Sequence, residues 1–342
     1  MDGLSATSED RVFNVEARAI PHISVIIVNY NGGEWLARSV QSVVDQTYAD
    51  FECFIVDNGS TDGSLDTLPP LDARFKIIEA GENLGFAKGN NLAAKQAAGE
   101  WLALLNPDAF AYQDWLEKLL AATRIRPNVT MVGSTQYMAS GGVFDGLGDE
   151  YHAFGLAWRA GFGHPIYDAT TRECFAPCGA GAFYHAPTFH RLGGFDESFF
   201  CYHEDVDLGF RMRLDGGICV QSAEAKIDHI SSGISGRASE FSVYHGTRNR
   251  IWTFRKNMPH ALAIPLFPFF LATNLFVLTW SVFRKGRFAP TFRGMRDGFA
   301  AKALIRKSPR TAKRRDIVQA LGWNPIKVYR RLPVQTNPII PK

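Results

Sequence analysis

Residues 23–30 read ISVIIVNY, a continuous apolar run dominated by β-branched side chains, which is what a parallel strand buried on both faces requires. It is followed by NGGEWLARSVQSVVDQ, in which Trp35, Leu36, Val40, Val43 and Val44 recur at helical spacing. The strand signal returns in FECFIV (51–56), which opens into the turn-rich DNGSTDGS. FKIIEA (75–80) opens into GENLGFAKGNN and a small-residue helix reaching Gln96, and WLALL (101–105) ends in NPDA. Four such strand-and-loop units within about a hundred residues predict an open doubly wound α/β half with right-handed crossovers. Ligands of such sheets bind outside the carboxyl ends of the strands. The polar residues at those ends are Asp57, Asn83 and Asp108.

The remainder divides by composition. Residues 126–256 are irregular and rich in Gly, Phe, Tyr and His, as expected of a second half on the same sheet. The expected organisation is an extension over 1–20, a domain over 21–256 with halves 21–125 and 126–256, an apolar segment over 257–283 and a basic tail over 284–342. At 342 residues and 46% apolar, the chain has enough material for a well-buried core. Residues 1–20 mix acids and bases without an apolar run, so no secretory signal is expected there. Five cysteines, an odd and sparse set, fit a reducing compartment better than a disulfide framework. Cys174 and Cys178 have no further Cys or His at zinc-like spacing and read as ordinary semi-buried thiols.

Residues 261–283, ALAIPLFPFFLATNLFVLTWSVF, contain no charge over a length able to cross a bilayer. Basic residues flank the run on both sides: Arg248, Arg250, Arg255 and Lys256 before it, and twelve Lys or Arg against the single acid Asp297 within 284–315 after it. One span would send a basic flank outward, against the positive-inside rule. A re-entrant or interfacial helix pair, broken near Pro265 and Pro268, keeps both flanks on one side. The basic segment also suits a nucleic acid, but KSPRTAKRR has few interleaved aromatics for stacking. A membrane surface contacted through residues 257–315 is therefore expected, and no nucleic acid.

Three clusters carry chemistry. Asp57 can accept the ring N–H of a pyrimidine, with Ser60 and Asp62 capping the helix that follows. NLGFAKGNN is a glycine-assisted turn opening a helix, where backbone N–H groups approach phosphate or ribose. In LLNPDA, Asp108 is placed to hold Mg2+ or Mn2+ against diphosphate oxygens. In FFCYHEDVDLGFRMR, Glu204, Asp205 and Asp207 lie at a helix N-terminus, where the dipole is expected to keep them ionised and a base available. Asp207 and Arg211 have the spacing of a structural ion pair.

Taken in order, SVIIVNYNG, VDNGSTDGS, NLGFAKGNN, LLNPDA, GGFDESFF and HEDVDLGFRMR resemble a family-2 glycosyltransferase of the GT-A fold, over residues 22 to about 256. The resemblance implies a Rossmann-like mixed sheet flanked by helices, followed here by C-terminal membrane-associated helices. It implies donor contacts from Asn29, Asn31, Asp57, Asn58, Ser60, Asn83, Gly85, Lys88, Asn90 and Asn106, with Asp57 reading uracil or thymine. Asp108 and His229 would hold the metal, Asp205 would be the catalytic base, and Glu204 would lie beside it at the acceptor. One departure is that Asn106 stands where the family commonly has a first aspartate, so weaker metal affinity is implied. The NPD form resembles the rhamnosyltransferase-like branch and points to a dTDP-rhamnose donor, within a general expectation of a UDP- or dTDP-sugar. The Gln-x-x-Arg-Trp signature of processive synthases is missing, so single-sugar addition with inversion is implied. The implied acceptor is a glycan or lipid-linked glycan, used in cell-surface polysaccharide synthesis at the cytoplasmic face of the inner membrane. A non-catalytic nucleotide-sugar-binding membrane scaffold is the alternative reading. A sugar nucleotidyltransferase would want a basic Gly-rich loop after the first strand, and VNYNGGEW has no base.

Overall fold

The structure is a computed structural model that describes residues 22–231, 239–301 and 311–339. The four apolar runs are strands β1 (Ile23–Asn29), β2 (Phe51–Asp57), β3 (Phe75–Glu79) and β4 (Trp101–Leu105). They alternate with helices α1 (Gly33–Val44) and α2 (Gly85–Ala94), and α3 (Trp115–Thr123) follows them. The four strands are parallel, in the order β3-β2-β1-β4. Their side chains feed two cores, one on each face: Val25, Ile27, Leu36, Val40 and Trp115 on one, Ile26, Phe54, Leu104 and Tyr184 on the other. That is the burial a continuous apolar run demands.

Later strands join the same sheet. Short strands β5 (Ala109–Ala111), β7 (Phe144–Gly146), β8 (Asp149–Tyr151), β9 (Ala157–Arg159) and β10 (Arg172–Cys174) accompany the longer β6 (Val129–Met138), β11 (Gly181–His185) and β12 (Ile218–His229). β11 runs antiparallel between β4 and β6, and β12 pairs with β6, β5 and β10. β8 and β9 form a separate hairpin. Helices α4 (Ala186–Arg191) and α5 (Glu204–Leu214) lie between β11 and β12.

Helix α5 is tied down by charge as well as by packing. Asp207 accepts from Arg211 Nε at 2.8 Å, Lys256 Nζ at 2.9 Å and Asn257 Nδ2 at 2.7 Å, with the Asp207 and Lys256 side chains fully buried. Burial opposes the charge on Asp207, but the two cations and their hydrogen bonds outweigh it and hold its carboxyl below the usual range. Asp207→Ala leaves two buried cations short of a counter-charge, so a loss of about 3–5 kcal/mol is expected in urea unfolding. Because the folded carboxyl titrates below its ordinary value, this contribution is complete above about pH 4 and is lost as pH falls further.

Helices α6 (Glu240–Asn257), α7 (His260–Val282) and α8 (Phe288–Ala300) form a layer beside α5. The expected break near the prolines does not occur: α7 is one helix, with Pro265 and Pro268 inside it. Leu262, Leu266 and Phe270 are buried at that end, and the Phe270 ring stacks on Phe254 at 4.0 Å between centroids. Packing there overrides the local penalty of two missing donors. α7 runs back along α6, with Arg250 Nη2 donating to Asn274 Oδ1 at 2.8 Å, and it leaves Ile264, Phe269, Leu275, Phe276 and Trp280 exposed. α8 then runs alongside α6, where a Cβ on Gly294 would lie 2.7 Å from the Tyr244 carbonyl oxygen. The segment expected to be a basic tail is folded over 288–300 and 311–339. α9 (Arg314–Ala320) and α10 (Pro325–Tyr329) lead into a stretch that returns to the domain: Trp158 Nε1 donates to the Leu332 carbonyl and the Val334 N–H to Glu150.

Candidate functional site

The carboxyl ends of β1, β2 and β4 meet where the strand order reverses between β1 and β4, the position at which open sheets of this kind bind ligands. At the end of β2, Asp57 accepts from Asn29 Nδ2 at 3.0 Å and from the Ser60 N–H at 3.0 Å. Asn29 also donates to the Ser60 and Ser64 hydroxyls, and Ser60 Oγ accepts from the Asn31 N–H. Asn31 Oδ1 in turn receives the Thr61 N–H. Asn29, Asn31, Asp57 and Ser60 are therefore one network. Ser60 does not act as a helix cap, since only a short 3-10 turn, Ser64–Thr67, follows, with Asp62 accepting from its Ser64 N–H. Buried Asn29 Oδ1 and Asn58 Oδ1 have no partner among the described residues, as groups that meet a ligand often do not.

The start of α2 closes this side. Asn58 Nδ2 donates to the Gly85 carbonyl and the Gly85 N–H to Asn83 Oδ1. Gly85 has φ +72°, and a Cβ there would lie 2.6 Å from the Phe200 carbonyl oxygen, so the turn demands glycine. Lys88 is exposed near Glu82, at 3.9 Å, and Asn90 donates back to the Phe86 carbonyl within its own helix.

Past β4, Asn106 donates its N–H to the Ala180 carbonyl and accepts Ser39 Oγ on its own carbonyl. Asp108 is buried beside His229 because β5 pairs with the end of β12, Ala109 opposite His229. His229 Nε2 lies 3.3 Å from Asp108 Oδ1 without a directed hydrogen bond, while Nδ1 lies 2.8 Å from Asp145 Oδ2. Burial works against charge on His229, but the two carboxylates outweigh it and raise its pKa. A carboxylate holding one imidazole nitrogen while the other faces a second carboxylate is the arrangement by which proteins orient a metal-binding histidine. The Asp108 and His229 donor set fits a divalent cation.

The polar chain continues. Arg159 Nη1 reaches Asp145 Oδ2 at 2.5 Å, and its Nε lies 3.9 Å from Asp149. The ligand atoms of Asp149, Cys178 and Asp205 lie within 4.8 Å of one another. Burial pushes the Cys178 thiol far up, so it stays protonated and is a poor ligand for a hard cation. Asp205 accepts the Gly179 N–H at 2.9 Å and the Val206 N–H at 2.8 Å. A Cβ on Gly179 would approach the Asp205 carboxylate to 3.4 Å and the Phe86 ring to 3.0 Å.

For Glu204 and Asp205, burial rather than the helix dipole sets the direction of the shift, contrary to expectation. Burial, reinforced by neighbouring carboxylates, raises Glu204 well above its ordinary value and raises Asp149. Burial also raises Asp205, against the opposing pull of its two backbone donors and of Arg159. Dipole stabilisation of about 0.3–1 kcal/mol is too small to offset burial of adjacent carboxyls. Two N–H donors favour the charged form of Asp205 over its neighbours. Residues 200–203 leading into α5 hold an unusual backbone, with Phe200, Tyr202 and His203 at positive φ. Asp145, Asp149, Arg159 and Cys178 have no motif around them in the sequence, and they enter the site only through strand pairing.

Residues 24–193 match the family described as glycosyl transferase family 2. An uncharacterized glycosyltransferase of Haemophilus influenzae is 32% identical over 117 residues, 33% of this chain and 36% of that protein. An N-acetylglucosaminyl-diphospho-decaprenol L-rhamnosyltransferase of Mycobacterium tuberculosis is 27% identical over 252 residues, 65% of this chain and 81% of that protein. The chain thus spans little more than a third of the length of the Haemophilus relative. Among solved structures, a Pyrobaculum calidifontis mannosyltransferase in complex with GDP-Man and Mn2+ superposes with a TM-score of 0.53 at 17% identity, covering 83% of this chain and 76% of that one. That likeness gives the fold, which is GT-A.

Proposed function

Since the chain belongs, through residues 24–193, to glycosyl transferase family 2, we propose that it moves one sugar from a nucleotide diphosphate donor to a lipid-linked glycan, with inversion at the anomeric carbon. The observation that carries this reading is the succession of neighbouring charged side chains from Asp108 through His229, Asp145, Arg159 and Asp149 to Asp205. It joins a cation-binding pair to a carboxylate base at the carboxyl end of β4.

In this reading Asp57 receives the pyrimidine N–H, and Asn29, Asn31, Asn58, Ser60 and the Asn83–Gly85 turn surround the nucleoside and diphosphate. Lys88, Asn90 and Asn106 complete the donor side. Asp108 and His229 hold Mg2+ or Mn2+, which when bound neutralises charge on the departing diphosphate. Asp205 takes the proton from the acceptor hydroxyl while that oxygen forms its bond to the anomeric carbon on the face opposite the breaking carbon–oxygen bond to the diphosphate. Glu204, whose pKa burial raises, lies beside Asp205 at the acceptor. Resemblance of the NPD motif and the name of the mycobacterial relative favour a dTDP-rhamnose donor and a diphosphate-linked lipid acceptor.

The lipid-linked acceptor is supported by α7, whose mean hydropathy is 2.0 and whose outer face is exposed. Because α7 packs lengthwise on α6 and α8 does likewise, the reading is of a helix lying in the cytoplasmic interface of the inner membrane rather than crossing it. A nucleotide-sugar panel with Mn2+ or Mg2+ and a membrane extract tests the whole proposal. Release of nucleotide diphosphate from one donor, dependent on the extract and abolished by chelator, is the expected result. No binding and no release from any donor would overturn it in favour of a non-catalytic scaffold.

A further inference from the structure

Helices α6, α7 and α8 border an open cavity of about 290 Å3 that is separate from the residues proposed to bind the donor. Its lining includes Arg250, Arg284 and Arg287, with His203 at one wall, and no carboxylate among the described residues. Arg250 is buried, and among the described residues its Nη2 is engaged by Asn274 while its Nη1 has no partner. Burial without a counter-charge lowers the Arg250 pKa to about 10, which leaves the guanidinium charged at neutral pH. Its Nη1 is an unpaired cationic donor on a side chain that lines the cavity, and an anionic group is the partner that would satisfy it. Thr291, in the first turn of α8, also lines it, so the positive end of that helix faces the same space.

The same cavity opens onto hydrocarbon-like surface. Trp280 lines it and is half exposed, and Phe276 and Phe269 continue from Trp280 along one side of α7, with the Phe276 and Trp280 rings stacked at 6.0 Å. A cationic pocket at the end of an exposed apolar stripe matches an amphiphile with a strongly anionic head. His203 lines the cavity and is followed directly in sequence by Glu204 and Asp205, which joins this cavity to the start of α5.

We propose that this cavity binds the diphosphate of the lipid-linked acceptor through Arg250, Arg284 and Arg287, with the lipid chain lying along Trp280, Phe276 and Phe269. The inference rests on the lipid-linked acceptor reading above and locates that acceptor. The test is sedimentation of the full chain with three vesicle types: phosphatidylcholine alone, phosphatidylcholine with a polyprenyl diphosphate, and phosphatidylcholine with phosphatidylglycerol at matched charge. Tightest binding to the polyprenyl diphosphate vesicles is expected, weakened about tenfold in the Arg284→Gln, Arg287→Gln double variant, whose changes are on the surface. Arg250→Lys should bind better than Arg250→Gln, with thermal melting used to show that each variant is folded. Equal binding to phosphatidylglycerol vesicles, or an unchanged double variant, would overturn the site. Sugar transfer to polyprenyl diphosphate acceptors by a double variant with unchanged KM would remove this site while leaving the proposed function intact. Transfer only to water-soluble glycans would remove both.

Discussion

Asp205→Asn is expected to lower kcat about a thousandfold and to leave nucleotide affinity within a factor of about two. The substitution keeps the size of the side chain and its acceptor oxygen for one of the Gly179 and Val206 N–H groups, and removes the proton-accepting charge. Glu204 is less suited to take over, because burial and the adjacent Asp205 push its pKa well above the ordinary glutamate value. Asp149 is raised in the same way and lacks the two backbone donors that favour the anion at Asp205. The acid limb of kcat against pH should then have its midpoint above the ordinary aspartate value of about 3.9, since Asp205 is itself raised. Steady-state kinetics across pH, with calorimetric titration of the nucleotide, measures both quantities. A kcat within tenfold of the parent would remove Asp205 as the base.

Asp108→Asn is the second large effect: a fall of about a thousandfold in kcat/KM for the donor, corresponding to several kcal/mol of lost charge stabilisation. Asp108 supplies the carboxylate facing His229 Nε2, and the neighbouring position is Asn106, so no second carboxylate stands in the motif to compensate. His229 remains oriented by Asp145 in the variant. The residual activity should therefore still respond to Mn2+, at higher concentrations. Titrating activity against Mn2+ distinguishes this from a folding defect, which would lower the plateau without moving the midpoint. Activity in the parent protein that survives complete chelation would contradict the metal assignment itself.

The strand ends were legible because buried parallel strands print as uninterrupted apolar runs, and the residue after each run must stand at a carboxyl end. Asp57 and Asp108 were placed by that logic, and the structure has both there. Asp145, Asp149 and Arg159 were not legible: they sit on three-residue strands in a glycine-rich stretch, too short for any period to register. Their meeting with His229 and Asp205 depends on pairing between segments far apart in the chain, which one sequence does not encode locally. For Glu204 and Asp205 the dipole expectation failed for a related reason, while Asp207 is held low by Arg211 and Lys256. A dipole can be inferred from position in a helix, but burial of three carboxyls together appears only once β8, β11 and α5 are assembled. The proline break in α7 failed because packing of Leu262, Leu266 and Phe270 against α6 outweighs two missing backbone donors.

The last described stretch of chain bears on the chemistry from a distance. Leu332 and Val334 grip Trp158 and Glu150, each the immediate neighbour of a charged member of the cluster, Arg159 and Asp149. The hairpin carrying those two charges is thus latched by residues that contribute no group to the reaction. Trimming the chain back to the end of α8, a natural choice when seeking a minimal soluble domain, would unlatch it. A loss of turnover in such a trimmed protein would then report a displaced Arg159 rather than a missing substrate contact.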